Sequence, residues 1–292
     1  MKVLLTGASG HLGSHVLNKL RQANTVHVAC RLSPPCPYPD VAYHSIDLSR
    51  NWSTDGLPER VDAVIHLAQS RYFRDFPRQA LDISAVNLSS TVRLLDYAMR
   101  AGATRFLLAS TGGLHSPSSS LITADSPVDP PCGLLEYYFR TKLAAEQLAL
   151  SYANHMDVTI LRPFFIYGPG QSQDKLIARL LNAISSGRSI KLAGNNGLVI
   201  NPVFVDDAAQ LFLSLLDARG SSVLLVAGPN ILSLRAIACE IARQCSRNPN
   251  FENIEGDECM LIADHRPAEI LLARPLTGFS EGIERLLHST ES

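Results

Sequence analysis

The sequence predicts a doubly wound parallel α/β sheet with a smaller mixed α/β lobe toward the C-terminal end. Three observations carry that expectation. The chain opens on an apolar run, Lys2–Thr6, which passes through Gly7, Gly10 and Gly13 into a stretch with apolar residues at Leu12, Val16, Leu17 and Leu20. That pattern is a buried strand, a tight turn and a helix with one apolar face. Further short apolar strands and helical patterns then follow one another to residue 162, as a parallel sheet requires. Last, 292 residues with 46% hydrophobic content suffice for one large core and a second lobe.

The opening turn has a specific chemistry. Glycine permits a tight turn and close backbone approach, and the first free N–H groups of the helix, at the positive end of its dipole, face whatever anion docks. A dinucleotide pyrophosphate is the usual guest of such a turn in the first βα unit, with Gly7, Gly10, His11, Leu12 and Gly13 as its expected contacts. A glycine-rich turn that holds nothing is the plainer alternative.

Composition removes several function classes. A formal net charge of −1 offers no long-range attraction to nucleic acid or to an anionic membrane. No apolar segment has bilayer length and the first strand begins at residue 2, so a cytoplasmic protein is expected. Cys30, Cys36, Cys132, Cys239, Cys245 and Cys259 form no C-x-x-C pair, so neither a metal site nor a disulfide framework is expected.

The second strand, Thr25–Cys30, ends beside the place where an adenosine ribose would lie. An acidic residue there would bond a ribose 2′-hydroxyl, whereas this strand ends in Ala29-Cys30-Arg31. The Arg31 guanidinium can pair with a 2′-phosphate, so NADP is preferred over NAD as cofactor. A surface arginine is the other reading, and Asp40 and Asp47 are also candidates for the ribose.

Four prolines make 33–40 a loop, 41–46 reads as the third strand, and 61–67 as the fourth, continuing into Ala68-Gln69. His66, on a buried strand, reads as a core histidine. The loop 70–77 lies at a strand's carboxyl end, where α/β sheets place ligands. It offers Arg71, Tyr72 and Arg74 to a substrate, a solvated loop being the alternative. A helix over 78–100 follows, then a fifth strand, 105–110, ending in Ser110-Thr111 before Gly112-Gly113.

The helix expected over 135–152 carries Tyr138 and Lys142, four residues apart and so on one face. A phenol with a pKa of about 10 is a weak base at neutral pH, and a nearby ammonium favours its ionised form. Tyr138 could then exchange the proton of a substrate hydroxyl or carbonyl while hydride passes to or from a nicotinamide. Thr111 would hold the same oxygen.

Together TGASGHLG (6–13), HLAQ (66–69), VNLSSTVRLL (86–95), the Tyr138–Lys142 spacing and RPFFIYGPG (162–170) resemble the extended short-chain dehydrogenase/reductase superfamily, often labelled NAD-dependent epimerase/dehydratase. The resemblance runs through about two-thirds of the chain. It implies that Asp47 and Leu48 flank the adenine, that Leu67 and Ala68 lie close to the cofactor, and that Pro163 lies against the nicotinamide, Tyr138 and Lys142 also reaching the cofactor. It implies further that Asn87 bonds backbone across to the strands and that Thr111, rather than Ser110, acts.

Departures from the family narrow the reaction. Dehydratases follow the threonine with Asp-Glu where this chain has Gly112-Gly113, which disfavours 4,6-dehydration and leaves Gly112 as a substrate contact. Relatives that bind nucleotide-sugars carry asparagine where this chain has Phe165. An arginine expected near Ile200 and another before the C-terminal helices are not found in that setting, which leaves Lys191, Arg179 or Arg266 for a diphosphate. Asp206 or Asp207 is expected to cap a helix running to Asp217.

The expected organisation is a dinucleotide-binding Rossmann domain, 1–162, and a substrate lobe, 163–292, of which 194–231 partly returns to the sheet. The expected function is an NAD(P)-dependent oxidoreductase acting at a carbinol or ketone of an activated sugar, either a nucleotide-sugar epimerase or a 4-ketoreductase. The alternatives are an NADPH-dependent reductase of a less polar carbonyl compound and a non-catalytic NADP(H)-sensing protein. The resemblance also implies a homodimer through the helix around Asn87 and the helix bearing Tyr138, with Ala144, Ala145 and Ala149 supplying small residues.

Overall fold

The structure, a computed structural model, describes residues 1–289; the final three residues of the expected C-terminal lobe lie outside the described residues. Along the chain come β1 (Lys2–Thr6), α1 (His11–Leu20), β2 (Thr25–Cys30), β3 (Val41–Ser45) and β4 (Ala63–His66). Then follow α2 (Ala80–Ser84), a π-helical turn (Ala85–Ser89), α3 (Ser90–Arg100), β5 (Arg105–Ala109), α4 (Glu136–Leu150) and β6 (Asp157–Pro163). The next part holds β7 (Ile166–Tyr167), α5 (Leu176–Ser185), β8 (Ser189–Ala193), β9 (Val199–Ile200), β10 (Val203–Phe204) and α6 (Val205–Ser214). The last holds β11 (Ser222–Val226), β12 (Leu232–Ser233), α7 (Leu234–Gln244), β13 (Asn250–Ile254), β14 (Met260–Leu261), α8 (Arg266–Leu272) and α9 (Phe279–His288).

Seven strands form the main sheet in the order β11-β6-β5-β4-β1-β2-β3. Every pair from β6 to β3 is parallel. The chain winds outward from β1 to β3 and then restarts on β1's other side with β4, so the order reverses between β1 and β4. Thr6 is in register with both Ala29 and His66, which brings the glycine turn after β1 beside residues 67–69 after β4. Such a switch point is where open α/β sheets bind ligands. Val3, Leu4, Leu5, Val64, Ile65, Phe106 and Leu107 have no exposed surface. Each contributes about 1.5–3 kcal/mol of burial, which is why these short strands read as continuous apolar runs.

By contacts the chain groups into two units. The first is Met1–Leu114, Val128–Arg162 and Ala209–Leu224; the second is His115–Pro127, Pro163–Ala208 and Leu225–Ser292. This grouping differs from the expected one at one place. Residues 115–127 join the second unit through Ser118 and Ile122, whose N–H groups donate to Met260 and Ile262. Within 194–231, the part that groups with the sheet is 209–224. The second unit's core is helical: Ile177, Leu180 and Ile184 of α5, Ile237 and Ile241 of α7, and Phe279, Ile283 and Leu286 of α9 pack at one-face spacing around Tyr167.

Three local expectations are corrected. The helix expected over 78–100 starts at Ala80 and is interrupted by the π turn at Ala85–Ser89, where the Asn87 side chain bonds outside the helix and Thr91 Oγ1 donates back to Asn87 O. The helix expected to reach Asp217 ends at Ser214, and Asp206 and Asp207 lie in its first turn instead of capping it. The Asp207 carboxylate accepts from Arg274 Nη2 at 2.6 Å and from Thr277 N at 2.7 Å. Ala145 and Ala149 are buried in the first unit's core, because α4 repeats them with Tyr138 and Lys142 on its sheet-facing side, so they are not available to a partner.

Among the described residues no helix is long and apolar enough to cross a membrane, and no group of three or more His, Cys, Asp or Glu could hold a metal ion. The six cysteines are free thiols.

Candidate active site

The glycine turn is closed on itself too tightly for side chains. Gly7 has φ +75°, and a Cβ there would meet Ala68 N at 2.6 Å; one on Gly13 would meet Gly7 O at 2.0 Å. Gly10 donates its N–H to Gly7 O at 3.0 Å and stands at the N-cap of α1 with no side-chain cap. No acidic residue lies in the first turn of α1, so its leading N–H groups and dipole suit an anion. A pyrophosphate fits this backbone.

Around the end of β2, Arg31 is exposed. Burial raises the Asp47 carboxyl, but hydrogen bonds from Ser49 Oγ at 2.7 Å and Ser49 N at 3.0 Å, with smaller help from the charges of Arg31 and Arg50, hold it below its usual value. Leu48 packs in the core cluster. Asp40 is taken elsewhere: Arg21 Nη1 donates to both its oxygens, at 2.9 and 2.8 Å.

At the carboxyl ends of β4 and β5 the polar groups form connected chains. His66 is buried, with Nδ1 2.7 Å from Thr6 Oγ1 and Nε2 3.1 Å from Thr91 Oγ1, and burial pushes it down to about 3. It is a neutral core histidine. Beyond it, Ser70 N donates to Asn87 Oδ1 at 2.9 Å, so Asn87 bonds backbone just past β4. Asn87 Nδ2 donates to Thr141 Oγ1 at 3.1 Å, and Thr141 Oγ1 donates to the Tyr138 carbonyl at 2.7 Å.

α4 brings Tyr138, Lys142 and Glu146 onto one buried face, four residues apart. The Tyr138 hydroxyl donates to Gln69 Oε1 at 3.1 Å and also meets the Thr111 side chain. Lys142 Nζ donates to Ala109 O at 2.6 Å. Burial pushes the Tyr138 phenol up to about 12, a rise that the Thr111 hydrogen bond only partly offsets. The same burial brings the Lys142 ammonium down to about 8, against the pull of Glu146. The expected lowering of the phenol by its neighbouring ammonium is therefore not the dominant effect in the free protein; desolvation is. Tyr137, next in the chain, is tied away, its hydroxyl 2.6 Å from Ser84 Oγ and its ring stacked on Phe76 at 4.4 Å.

Aromatic rings close in on the phenol. Phe73 and Phe139 lie 5.2 and 5.4 Å from the Tyr138 ring. A Cβ on Gly113 would come 2.4 Å from Phe139 Cε1, so a ring fills the space a larger residue at 113 would need. In the loop after β4, Arg71 sits over the Tyr72 ring at 4.6 Å and Arg74 over Phe73 at 4.9 Å. Gly112 is buried just after Thr111.

Of the other sequence-derived candidates, Pro163 and Phe165 belong to the second unit. Phe165 has φ +46° and packs against both apolar clusters of that unit. Lys191 lies 4.0 Å from Glu252, and Arg266 is forked onto Asp264 at 2.8 Å. Arg179 is exposed. An arginine does precede the C-terminal helix, Arg274, and Asp207 holds it. Gln69 and Phe73 were not singled out beforehand for the phenol; the available signal was their position at the carboxyl end of a buried strand.

The arrangement offers an anion-binding turn and a buried phenol, hydroxyl and ammonium in one unit, which suits proton exchange next to a bound dinucleotide. Known proteins carry the same frame. The chain is 27% identical over 235 residues to UDP-glucuronate 4-epimerase of Thermodesulfobacterium geofontis, covering 78% of this chain and 72% of that one. Its fold matches MoeE5 in complex with UDP-glucose and NAD at a TM-score of 0.85 and 28% identity, over 100% of this chain and 99% of the other. It also matches UDP-glucuronic acid 4-epimerase from Bacillus cereus, in complex with UDP-glucuronic acid and NAD, at a TM-score of 0.85, 23% identity and the same coverage. With residues 3–227 matching its family model, the chain belongs to the NAD dependent epimerase/dehydratase family.

Proposed function

We propose that the protein is an NAD(P)-dependent enzyme acting at a carbinol or ketone of a nucleotide-activated sugar, as an epimerase or a ketoreductase. The observation that carries the reading is the Tyr138 phenol, bonded to Thr111 and one helical turn from Lys142, in the same unit as the glycine turn. The relatives support the substrate class, since one is named a UDP-glucuronate 4-epimerase and MoeE5 is in complex with UDP-glucose. They do not favour a reductase of less polar carbonyl compounds or a non-catalytic NADP(H) sensor.

When bound, the nicotinamide supplies the acceptor and donor of hydride. The chain's own residues manage binding and the proton. Gly7, Gly10, His11, Leu12 and Gly13 hold the pyrophosphate by backbone, with Leu67 and Ala68 closing the turn's other side. In its ionised form Tyr138 Oη takes the proton of the substrate hydroxyl as the carbinol is oxidised, and the resulting phenol returns it on reduction, while Thr111 donates to the reacting oxygen. Lys142, fixed by Ala109 O, keeps positive charge one turn from the phenol and bonds the ribose. Arg71 and Tyr72 contact the sugar from the loop, and Gly112 lies beside it.

Arg31 supports a preference for NADP(H): it is exposed at the end of β2, where no acidic side chain follows the strand. Leu48 and Asp47 then flank the adenine. A homodimer through α3 and α4 is supported by Val92, Met99 and Leu148, large apolar side chains exposed on those helices.

The experiment is turnover of UDP-glucose and UDP-glucuronate with NAD(H) or NADP(H). An epimerase gives the C4 epimer without net change in nicotinamide absorbance; a ketoreductase, run in its oxidative direction on these carbinols, reduces NADP+ in proportion to the keto-sugar formed. Absence of both with every pairing would reject the reading.

A further inference from the structure

The Tyr138 phenol meets two polar side chains of different freedom. Thr111 is held from the main chain, its Oγ1 accepting the Gly113 N–H at 3.2 Å, and its side chain is in hydrogen-bonding contact with the phenol. Gln69 is exposed, and its Oε1 accepts the phenol hydrogen at 3.1 Å.

The backbone that carries Gln69 is nevertheless fixed. Ser70 is buried; its N–H donates to Asn87 Oδ1 and its hydroxyl to Asp82 Oδ1. Asn87 passes through Thr141 Oγ1 to the carbonyl of Tyr138 itself. The hydrogen bonds therefore close a ring: main chain of Gln69-Ser70, Asn87, Thr141, main chain of Tyr138, phenol, and back to the Gln69 side chain. Through this ring the two residues keep a common register while the amide alone can turn.

An amide differs from a carboxylate or an aliphatic group in one respect that matters here. Rotated by half a turn, it offers an N–H donor where it had offered an oxygen acceptor, with the same reach. We propose that Gln69 is a positioning residue for the proton of Tyr138, accepting through Oε1 when the phenol holds that proton and donating through Nε2 when the oxygen has given it up. This rests on the reading of Tyr138 as the acid–base residue.

The step balances without a co-reactant. The O–H bond of the phenol breaks as the substrate oxygen gains the proton, and the amide exchanges a received for a donated hydrogen bond. Charged groups on the elements packed here include Lys142 and Glu146 on α4, Arg162 on β6 paired to Glu146, Asp82 on α2 bonded to Ser70, and Arg74 over the Phe73 ring; His66 on β4 is neutral. Gln69 and Thr111 are the uncharged partners in direct contact.

The test uses the NAD(P)-loaded enzyme and its Gln69→Leu, Gln69→Glu and Tyr138→Phe variants, with carbon-13 at Cζ of tyrosine. Tyr138→Phe identifies the Tyr138 resonance by its loss, and Gln69→Leu is expected to move that resonance while leaving those of the other tyrosines in place. With sugar nucleotide, Gln69→Leu is expected to lower kcat about tenfold with KM little changed. Gln69→Glu, able only to accept, is expected to move the acid limb of kcat/KM up by about one pH unit. A Tyr138 resonance unmoved in folded Gln69→Leu overturns the proposal whether or not turnover is found, and so does an unshifted pH profile in Gln69→Glu. Absence of turnover in the unsubstituted enzyme strikes the sugar-nucleotide reading instead.

Discussion

Glu146 stands one helical turn beyond Lys142 and is forked onto Arg162, Nε to Oε1 at 3.0 Å and Nη2 to Oε2 at 2.6 Å, with both side chains buried. The pair anchors α4 to β6 and places a negative charge behind the ammonium of Lys142, opposing its deprotonation. Replacing Glu146 alone removes the carboxylate forked onto the buried Arg162 guanidinium, and breaking a buried pair from one side costs about 3–5 kcal/mol. Glu146→Gln is therefore expected to lower the unfolding free energy by that amount, and Glu146→Gln with Arg162→Met to recover a large part of it. Urea unfolding of the three proteins checks this; equal losses in the single and double variants would contradict it.

Acid should unfold the protein partly through His66. In the folded protein burial holds His66 down to about 3, against an ordinary value of 6.5. The unfolded chain thus binds the proton first, and stability falls as pH drops from about 6.5 toward 3, with a limiting slope of about 1.4 kcal/mol per pH unit for one such group. His66→Gln should flatten the dependence of melting temperature on pH between about 7 and 4. An unchanged dependence in a folded variant would place the acid sensitivity elsewhere.

Gly113→Ala should be poorly tolerated, because its Cβ would enter the Phe139 ring, which packs against Tyr138. A loss of about 1–3 kcal/mol is expected from the overpacking, accompanied by reduced turnover as the phenol is displaced. Adding Phe139→Leu should restore stability. Calorimetry of both proteins decides, and a Gly113→Ala variant as stable as the parent would show that the ring has room to move.

Phe165 holds a left-handed backbone, φ +46°, that aromatic residues rarely adopt. Asparagine tolerates that conformation and alanine does not, while both remove the ring. Phe165→Asn should therefore be more stable than Phe165→Ala by about 1 kcal/mol. Thermal unfolding of the two variants measures the difference, and a more stable alanine variant would mean the strain is relieved by other means.

Much of the sheet was legible in the sequence because parallel strands buried on both faces read as short apolar runs, and β1, β2 and β5 were read to within one residue of their observed ends. The glycine turn was legible because a backbone closed to 2.0 Å at Gly13 admits no other residue type. The π turn around Asn87 was not, since it arises from where the Asn87 side chain bonds across the fold, and α-helical periodicity carries no trace of that. The role of Asp207 was misread for a similar reason: its partners Arg274 and Thr277 are about seventy residues away in sequence. Lys142 and the phenol were paired correctly by spacing, but their titration is governed by burial, a property of the whole unit. The second unit was the least legible, its two-residue strands β7, β9, β10, β12 and β14 being too short to show a period.

The central claim is that Tyr138 moves the substrate's proton. The most direct measurement is single-turnover reaction of Tyr138→Phe with a UDP-sugar, alongside titration of NAD(P)H binding to the same variant. The account predicts turnover lowered by about 10²–10⁴-fold with cofactor binding essentially kept, since the glycine turn does not depend on the phenol. Turnover at the parent's rate with the hydroxyl removed would contradict it.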